Sequence, residues 1–145
     1  MAFHKPSDYA GNSFFPAKDH LTDLAIMVEP VSIVRDVPST YKGKTRNRDE
    51  VLADLTVFGN TESLSTGTPT KVYKNTKVVH GMLTSTLEKF LGGATVARLE
   101  KIPTENGSGF VFRDVSDEIE GQVEKFYVAR EDAAQKALAS VPDFG

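Results

Sequence analysis

Hydrophobic and polar residues follow two different periods along this chain, and these periods predict strands and helices. The run LAIMVEPVSIV, residues 24–34, is rich in β-forming residues and predicts a first, largely buried strand, in which Pro30 requires a bulge, a bend or an edge position. In VLADLTVF, residues 51–58, alternate apolar residues share one face and predict a second strand. The segment TKVYKNTKVVH, residues 70–80, alternates in the same way and predicts a third.

A helical period follows the third predicted strand. In GMLTSTLEKFLGG, residues 81–93, apolar residues recur at helical spacing before a Gly-Gly stop, which predicts a helix of about three turns. The segments ATVARLEKI (94–102) and GFVFRDV (109–115) predict two strands, and the Asn-Gly between them indicates a hairpin. The helical period returns over residues 117–140, with Ser116 as a candidate N-cap.

This order of elements predicts the fold class. Three strands, a helix, two strands and a final helix is the order of the OB-fold, a partly open barrel that often binds oligonucleotides or oligosaccharides. We therefore expect a mainly β protein, an OB-fold-like β-barrel of five strands, with a short helix between strands 3 and 4 and a C-terminal helix. A small β-sandwich or another α+β arrangement shares this order. The expected organisation is an N-terminal arm (1–23), the OB-fold-like domain (24–116) and a C-terminal helix and tail (117–145).

Composition narrows the class of protein. A chain of 145 residues that is 39% hydrophobic can build one core, so one compact domain is expected. The sequence has no cysteine, which excludes disulfides and thiolate metal sites and agrees with a reducing compartment. No apolar run approaches the ~20 residues that span a bilayer, and the N-terminus lacks a signal-like apolar region. We expect a soluble intracellular protein with no membrane contact.

The sequence contains no recognisable catalytic or cofactor motif. It has neither a GxxxxGK[ST] phosphate loop nor a GxSxG elbow. The three histidines, His4, His20 and His80, are far apart and lack metal-ligand spacing. Adjacent carboxylates such as Asp49 and Glu50 point apart on a strand, so a solvated surface explains them better than acid/base catalysis. We expect a non-catalytic protein that has no catalytic residue, metal or cofactor.

Charge is distributed unevenly along the chain. The net charge is −3, yet residues 35–48 carry five basic residues against one acidic, whereas residues 114–145 carry eight acidic against three basic. This separation suits a basic binding surface backed by an acidic segment. In the stretch TYKGKTRNRDE four cations occupy every second position, so an extended backbone would place them in one row.

The OB-fold order gives this row a candidate role. Nucleic acids usually bind an OB-fold on strands 2 and 3 and on the loops that join strands 1 to 2 and 4 to 5. We expect the cation row in the first loop and a basic, aromatic face on strand 3, which Lys74 would join only across a bulge. Cations interleaved with aromatic rings suit sequence-tolerant binding of single strands. The predicted binding residues are Tyr41, Lys42, Lys44, Arg46, Arg48, Lys71, Tyr73 and Lys77.

Each of these features also has a purely structural interpretation. A basic loop is commonly only solvated, and the ring of Tyr73 could be half-buried packing. Phe110 and Phe112 share one face of strand 5, and there we expect core packing rather than contact with bases. The coincidence of basic loop, strand face and fold order favours nucleic-acid binding.

The chain resembles a family of small proteins from tailed bacteriophages of actinobacteria that are commonly taken to be single-stranded-DNA-binding proteins with OB-folds. The resemblance lies in LAIMVEPVSI, in VLADLTVF, and in VVHGMLTSTLEKFLGGATVARLEKI followed by GFVFRDV, and it covers residues 20–116. It implies a protein that coats single-stranded DNA during DNA replication or recombination, without catalysis. We expect such a protein to be a homo-oligomer in the cytoplasm of the host cell.

The C-terminus resembles this functional class in part. Such proteins often end in a mobile acidic tail closed by an aromatic residue, which recruits partners. The chain ends SVPDFG, so the resemblance implies that Asp143 and Phe144 contact replication or recombination proteins. The match is incomplete because Gly145 follows the phenylalanine and because the preceding residues predict an ordered helix.

The alternative is a structural assembly protein, such as a component of a virion or capsid. Its aromatic N-terminal arm and basic loop would then contact neighbouring subunits, and the cation row would meet acidic protein surface or packaged genome. Such a protein would be located in the virion.

Overall fold

The computed structural model describes residues 14–41, 43–105 and 107–140, and these form a five-stranded antiparallel sheet of order β3-β2-β1-β4-β5. The strands are β1 (Ala25–Tyr41), β2 (Lys44–Phe58), β3 (Lys71–Val78), β4 (Thr95–Thr104) and β5 (Gly107–Arg113). The α-helices are α1 (Thr61–Thr66), α2 (Gly81–Leu87) and α3 (Asp117–Ser140). The predicted class is confirmed: mainly β, with a helix between the third and fourth strands and a C-terminal helix.

The sheet is not closed into a barrel, which corrects the prediction. Within the described residues no ladder joins the edge strands β3 and β5. The edge of β3 is instead partly occupied by the N-terminal segment, because Phe14 forms a parallel bridge with Lys77 and the Phe15 N–H donates to the Lys77 carbonyl at 2.9 Å. Backbone groups that a neighbouring strand would use are therefore paired with this segment.

Side chains alternate across the strands, so two apolar clusters lie on opposite faces of the sheet. The inner face carries the larger cluster, which includes Val51, Ala53, Leu55 and Val57 of β2. Phe15 from the N-terminal segment and Leu83 and Leu87 from α2 pack into it. The outer face carries Ala25, Met27 and Phe58, which α1 and α3 cover with Leu64 and Val123. Towards the β1–β2 hairpin the residues of β2 become exposed.

Strand β1 bends at two bulges. Its register with β2 shifts between Pro30 and Ser32, which confirms the irregularity expected at the proline. A second shift lies between Val34 and Val37, where Asp36 has φ 57°. Beyond it the ladder continues to Tyr41, so the segment predicted as a loop after the first strand belongs mostly to a long β1–β2 hairpin.

The helices differ in detail from the predicted pattern. Residues 59–69, between the second and third predicted strands, contain α1, a helix that was not predicted. Asn60 forms a capping box with Ser63, and Gly67 ends the helix with φ 69°. Helix α2 ends at Leu87, and a short 3-10 turn follows it. The α-helix is therefore shorter than predicted. The predicted left-handed stop after it is confirmed at Gly92, which has φ 80°.

Helix α3 begins as predicted and packs on the sheet with its first half. Its start is capped by the Ser116 hydroxyl, which accepts the Ile119 N–H at 3.3 Å. Ile119, Val123, Phe126 and Tyr127 face the outer cluster. Further along α3, Ala134 and Ala137 are exposed. None of the helices in the described ranges has the length and hydrophobicity needed to cross a bilayer.

A two-pronged ion pair fastens α3 to β1. Both terminal nitrogens of Arg130 donate to the Glu29 carboxylate at 2.9 Å, and the guanidinium lies 5.2 Å from the Tyr127 ring centroid. These hydrogen bonds raise the pKa of Arg130 above its ordinary value. The geometry is bidentate, which is the arrangement in which a partly exposed pair contributes most.

We expect Arg130→Gln to lower the free energy of unfolding by about 1 kcal/mol, because the bidentate pair is lost. Chemical denaturation measures this change. Lys125→Gln on an exposed turn of the same helix is the control and should change stability little. Equal effects of the two substitutions would show that the Glu29 contact contributes nothing.

Candidate nucleic-acid interface

Three of the four predicted cations lie in one row on β2. Lys44, Arg46 and Arg48 occupy alternate positions opposite Tyr41, Ser39 and Val37 of β1. Their parity is opposite to that of the inner-face residues of β2, so the row lies on the outer face. Lys42 and the side chain of Tyr41 lie outside the described part of the structure, and Tyr41 is the last residue of β1.

The two cations nearest the hairpin turn are the most exposed ones of the row. Lys44 and Arg46 are exposed, and neither forms an ion pair with a carboxylate in the described part of the chain. Arg35, also from the basic segment, lies at the β1 bulge and is paired with Asp49 at 3.2 Å and with Glu88. Arg35 therefore does not extend the row.

A bulge in β3 rearranges the predicted basic face of that strand. Ala53 pairs with Thr76 but Leu55 pairs with Tyr73, so Lys74 and Asn75 together oppose one residue of β2. Asn75 adopts φ 48°, and its N–H donates to Asp54 Oδ1 at 2.9 Å. The extra residue reverses the side-chain parity of the strand on either side of it.

This reversal separates the side chains that the sequence placed on a single face. Thr76 and Val78 are buried, and Val78 belongs to the inner cluster, so Lys77 lies on the outer face. Tyr73 packs against the inner cluster instead. Lys71 lies on the same side of the strand as Tyr73, and its Nζ is 5.5 Å from the Tyr73 ring centroid. The expected common face of Lys71, Tyr73 and Lys77 is therefore wrong. Lys74 joins the outer face through the bulge.

Tyr73 is part of a packed cluster that holds the N-terminal segment. Its hydroxyl is hydrogen-bonded to His20 Nε2 at 2.7 Å, and His20 Nδ1 donates to Asp23 Oδ2 at 2.5 Å. The Phe15 ring stacks on His20 with centroids 5.3 Å apart and meets Tyr73 edge-on at 5.4 Å. Burial, followed by Asp19 and Asp23, raises the pKa of Tyr73, so its hydroxyl stays a donor.

Two carboxylates organise the cations of the outer face. Glu50 is buried and pairs with both Arg48 Nη2 at 3.3 Å and Lys77 Nζ at 3.5 Å, which joins β2 to β3. Asp54 lies 3.9 Å from Lys74 Nζ. These five cations and two carboxylates give this part of the outer face a net charge of +3, and Lys44 and Arg46 have no acidic partner among them.

Phe14 completes this surface. Its side chain is 52% exposed, although it is a large apolar ring. The Arg48 guanidinium carbon lies 5.3 Å from its ring centroid, and Lys77 Nζ lies 5.7 Å from it. Both distances are within the range of cation–π contacts. Prediction from periodicity missed Phe14, because it belongs to a segment without a period.

The remaining sequence predictions concern β5 and the isolated His80. Phe110 and Phe112 pack against the inner cluster, which confirms the expected core role of these rings. His80 meets Phe110 with ring centroids 4.7 Å apart. Its burial, together with the nearby Arg48 charge, lowers the pKa of His80, which favours the neutral imidazole.

The groove between α3 and β4 is poorly suited to bind a polyanion. This groove of about 570 Å³ has a partly apolar lining that includes Met27 and Val96. Its remaining lining includes four carboxylates, which would repel phosphate: Asp114, Asp117, Glu120 and Glu124. Among the described residues no group of three or more His, Asp or Glu side chains could hold a metal ion. Asp143 and Phe144, the predicted partner contacts, lie outside the described residues.

No family model, curated protein or solved structure matches this chain. The resemblance to phage single-stranded-DNA-binding proteins therefore stays a prediction, as do the predicted domain boundaries.

Proposed function

We propose that this protein is a non-catalytic single-stranded nucleic-acid-binding protein, with single-stranded DNA as its ligand. The observation that carries the proposal is the row of Lys44, Arg46 and Arg48 along the outer face of β2. Lys77 and Lys74 of β3 extend the same positive surface. Of the predicted binding residues, this proposal keeps these row cations and Lys77 as direct contacts and adds Lys74.

The geometry of a strand suits the backbone of a nucleic acid. Alternate residues of a strand lie about 7 Å apart, so the row offers positive charges at regular intervals to successive phosphates of an extended single strand. Arginine and lysine can both donate hydrogen bonds to phosphate oxygens, and the release of counterions from the nucleic acid drives such binding.

The sheet order supports the same surface. In OB-folds the ligand lies across strands 2 and 3 and the loop between strands 1 and 2. The elements that carry the proposed contacts here are β2, β3 and the β1–β2 hairpin. The resemblance to phage proteins supports a role in coating single-stranded DNA during replication or recombination, in the cytoplasm of the host cell. Replication or recombination proteins that bind the C-terminus belong to the same proposal.

We expect wild-type protein to bind fluorescent oligo-dT, with a slope of log affinity against log salt between about −2 and −3.5. The limits correspond to about 0.7 for each of three net or five total positive charges on the outer face. Fluorescence anisotropy at several salt concentrations measures this slope. A structural assembly protein would instead show a large particle mass in solution. Absence of oligonucleotide binding even at low salt would refute the proposed function.

A further inference from the structure

The exposed ring of Phe14 has an unusual setting. It lies at the edge of β3, held by its bridge to Lys77, and it presents 52% of its surface to solvent. Two cations of the proposed interface, Arg48 and Lys77, flank the ring. An apolar ring in this position contributes little to the core, since Phe15 next to it is the buried residue.

The backbone that carries the ring is also anchored. The Phe15 N–H donates to the Lys77 carbonyl, and the Phe15 side chain is packed between His20 and Tyr73. This anchor fixes the backbone of Phe14 one residue away. A side chain on a fixed backbone has less conformational entropy to lose when a ligand stacks on it, so the anchor favours binding.

We propose that Phe14 is a base-stacking residue, which takes one unpaired nucleobase on its exposed face while Arg48 and Lys77 contact the flanking phosphates. This inference rests on the proposed function and deepens it, because it specifies the substrate class. A duplex offers its phosphates but not the faces of its internal bases, so stacking on Phe14 selects single strands. The site requires a nucleobase and no particular base, because every base has a π-face.

The test compares Phe14→Leu with wild type on two oligonucleotides. One is oligo-dT and the other has the same length but carries abasic sites throughout. Wild type should bind oligo-dT about 5- to 150-fold more tightly than the abasic strand, the range expected for one stacked base. Phe14→Leu should bind both strands as weakly as wild type binds the abasic one. The salt slope should stay unchanged, because no cation is removed.

Two further variants control for the loss of an exposed ring and report directly on the position of Phe14. Phe90→Leu removes another exposed ring, one that lies at the α3 groove, and should leave both affinities unchanged. The chain contains no tryptophan, so Phe14→Trp provides a single reporter whose emission should be quenched by oligo-dT and much less by the abasic strand. The Trp variant should also retain the preference for bases.

The outcomes separate the two proposals. If wild type binds neither strand, the proposed function itself is wrong. If wild type binds oligo-dT with the expected salt slope but Phe14→Leu keeps both the affinity and the preference over the abasic strand, the base-stacking role of Phe14 is overturned. Unquenched emission from a Phe14→Trp variant that still binds oligo-dT would contradict it as well.

Discussion

Replacing Lys44 and Arg46 together by alanine is expected to weaken oligo-dT binding by roughly 70-fold at 50 mM salt. Two lost phosphate contacts reduce the log–log salt slope by about 1.4, and this difference gives that factor if the two lines meet at 1 M salt. Both side chains are exposed and, within the described residues, neither forms an ion pair, so the melting temperature should not change. Anisotropy titrations over a salt series, together with thermal melts, measure both quantities.

The matched control removes the same amount of charge elsewhere. Lys89 and Lys101 are also exposed, but Lys89 lies in the turn after α2 and Lys101 on β4, away from the outer face of β2 and β3. Their double alanine variant should retain the wild-type slope. If both double variants lose affinity equally, net charge alone governs binding and the row has no special role.

Tyr73→Ala is expected to lower the free energy of unfolding by about 3 kcal/mol. The substitution leaves a cavity beside Phe15 and removes the partner of the buried His20 ring nitrogen. Tyr73→Phe keeps the ring and should cost only about 1 kcal/mol, the value of one hydrogen bond. Chemical denaturation of both variants measures these differences.

The same variants decide between the two interpretations of Tyr73. A tyrosine that stacks on bases at the surface would lose oligonucleotide affinity on replacement while leaving stability unchanged. The packed cluster predicts the reverse for Tyr73→Phe, with reduced stability and an unchanged affinity. An unaltered unfolding curve for Tyr73→Ala would contradict the core position of the ring.

The sequence predicted the fold class well because strong periodicity marks most of the strands. The alternation in β2 and the apolar spacing in α2 and α3 depend on burial, and burial is what the sequence pattern records. The length of the β1–β2 hairpin was missed because proline, aspartate and glycine usually end a strand, whereas here the bulge at Asp36 lets the ladder continue.

The candidate site was predicted only in part, because periodicity predicts the faces of a regular strand but not those of a bulged strand. The row on β2 follows directly from a period of two in a regular strand. On β3 the same rule failed, because one bulge at Lys74 and Asn75 reverses parity and turns Tyr73 inwards. Asparagine tolerates positive φ better than most residues, so Asn75 was the available signal. Phe14 required the tertiary contact with β3 and could not be found from periodicity.

The most direct test of the central claim is to map where a single strand lies on the protein. In a titration with oligo-dT followed by amide ¹H–¹⁵N NMR, we expect the largest shift changes at residues 44–48, at residues 72–77 and at Phe14. These residues share the outer face of β2 and β3 or border it. Shift changes concentrated at the acidic groove between α3 and β4, or none at low salt, would contradict the proposed interface.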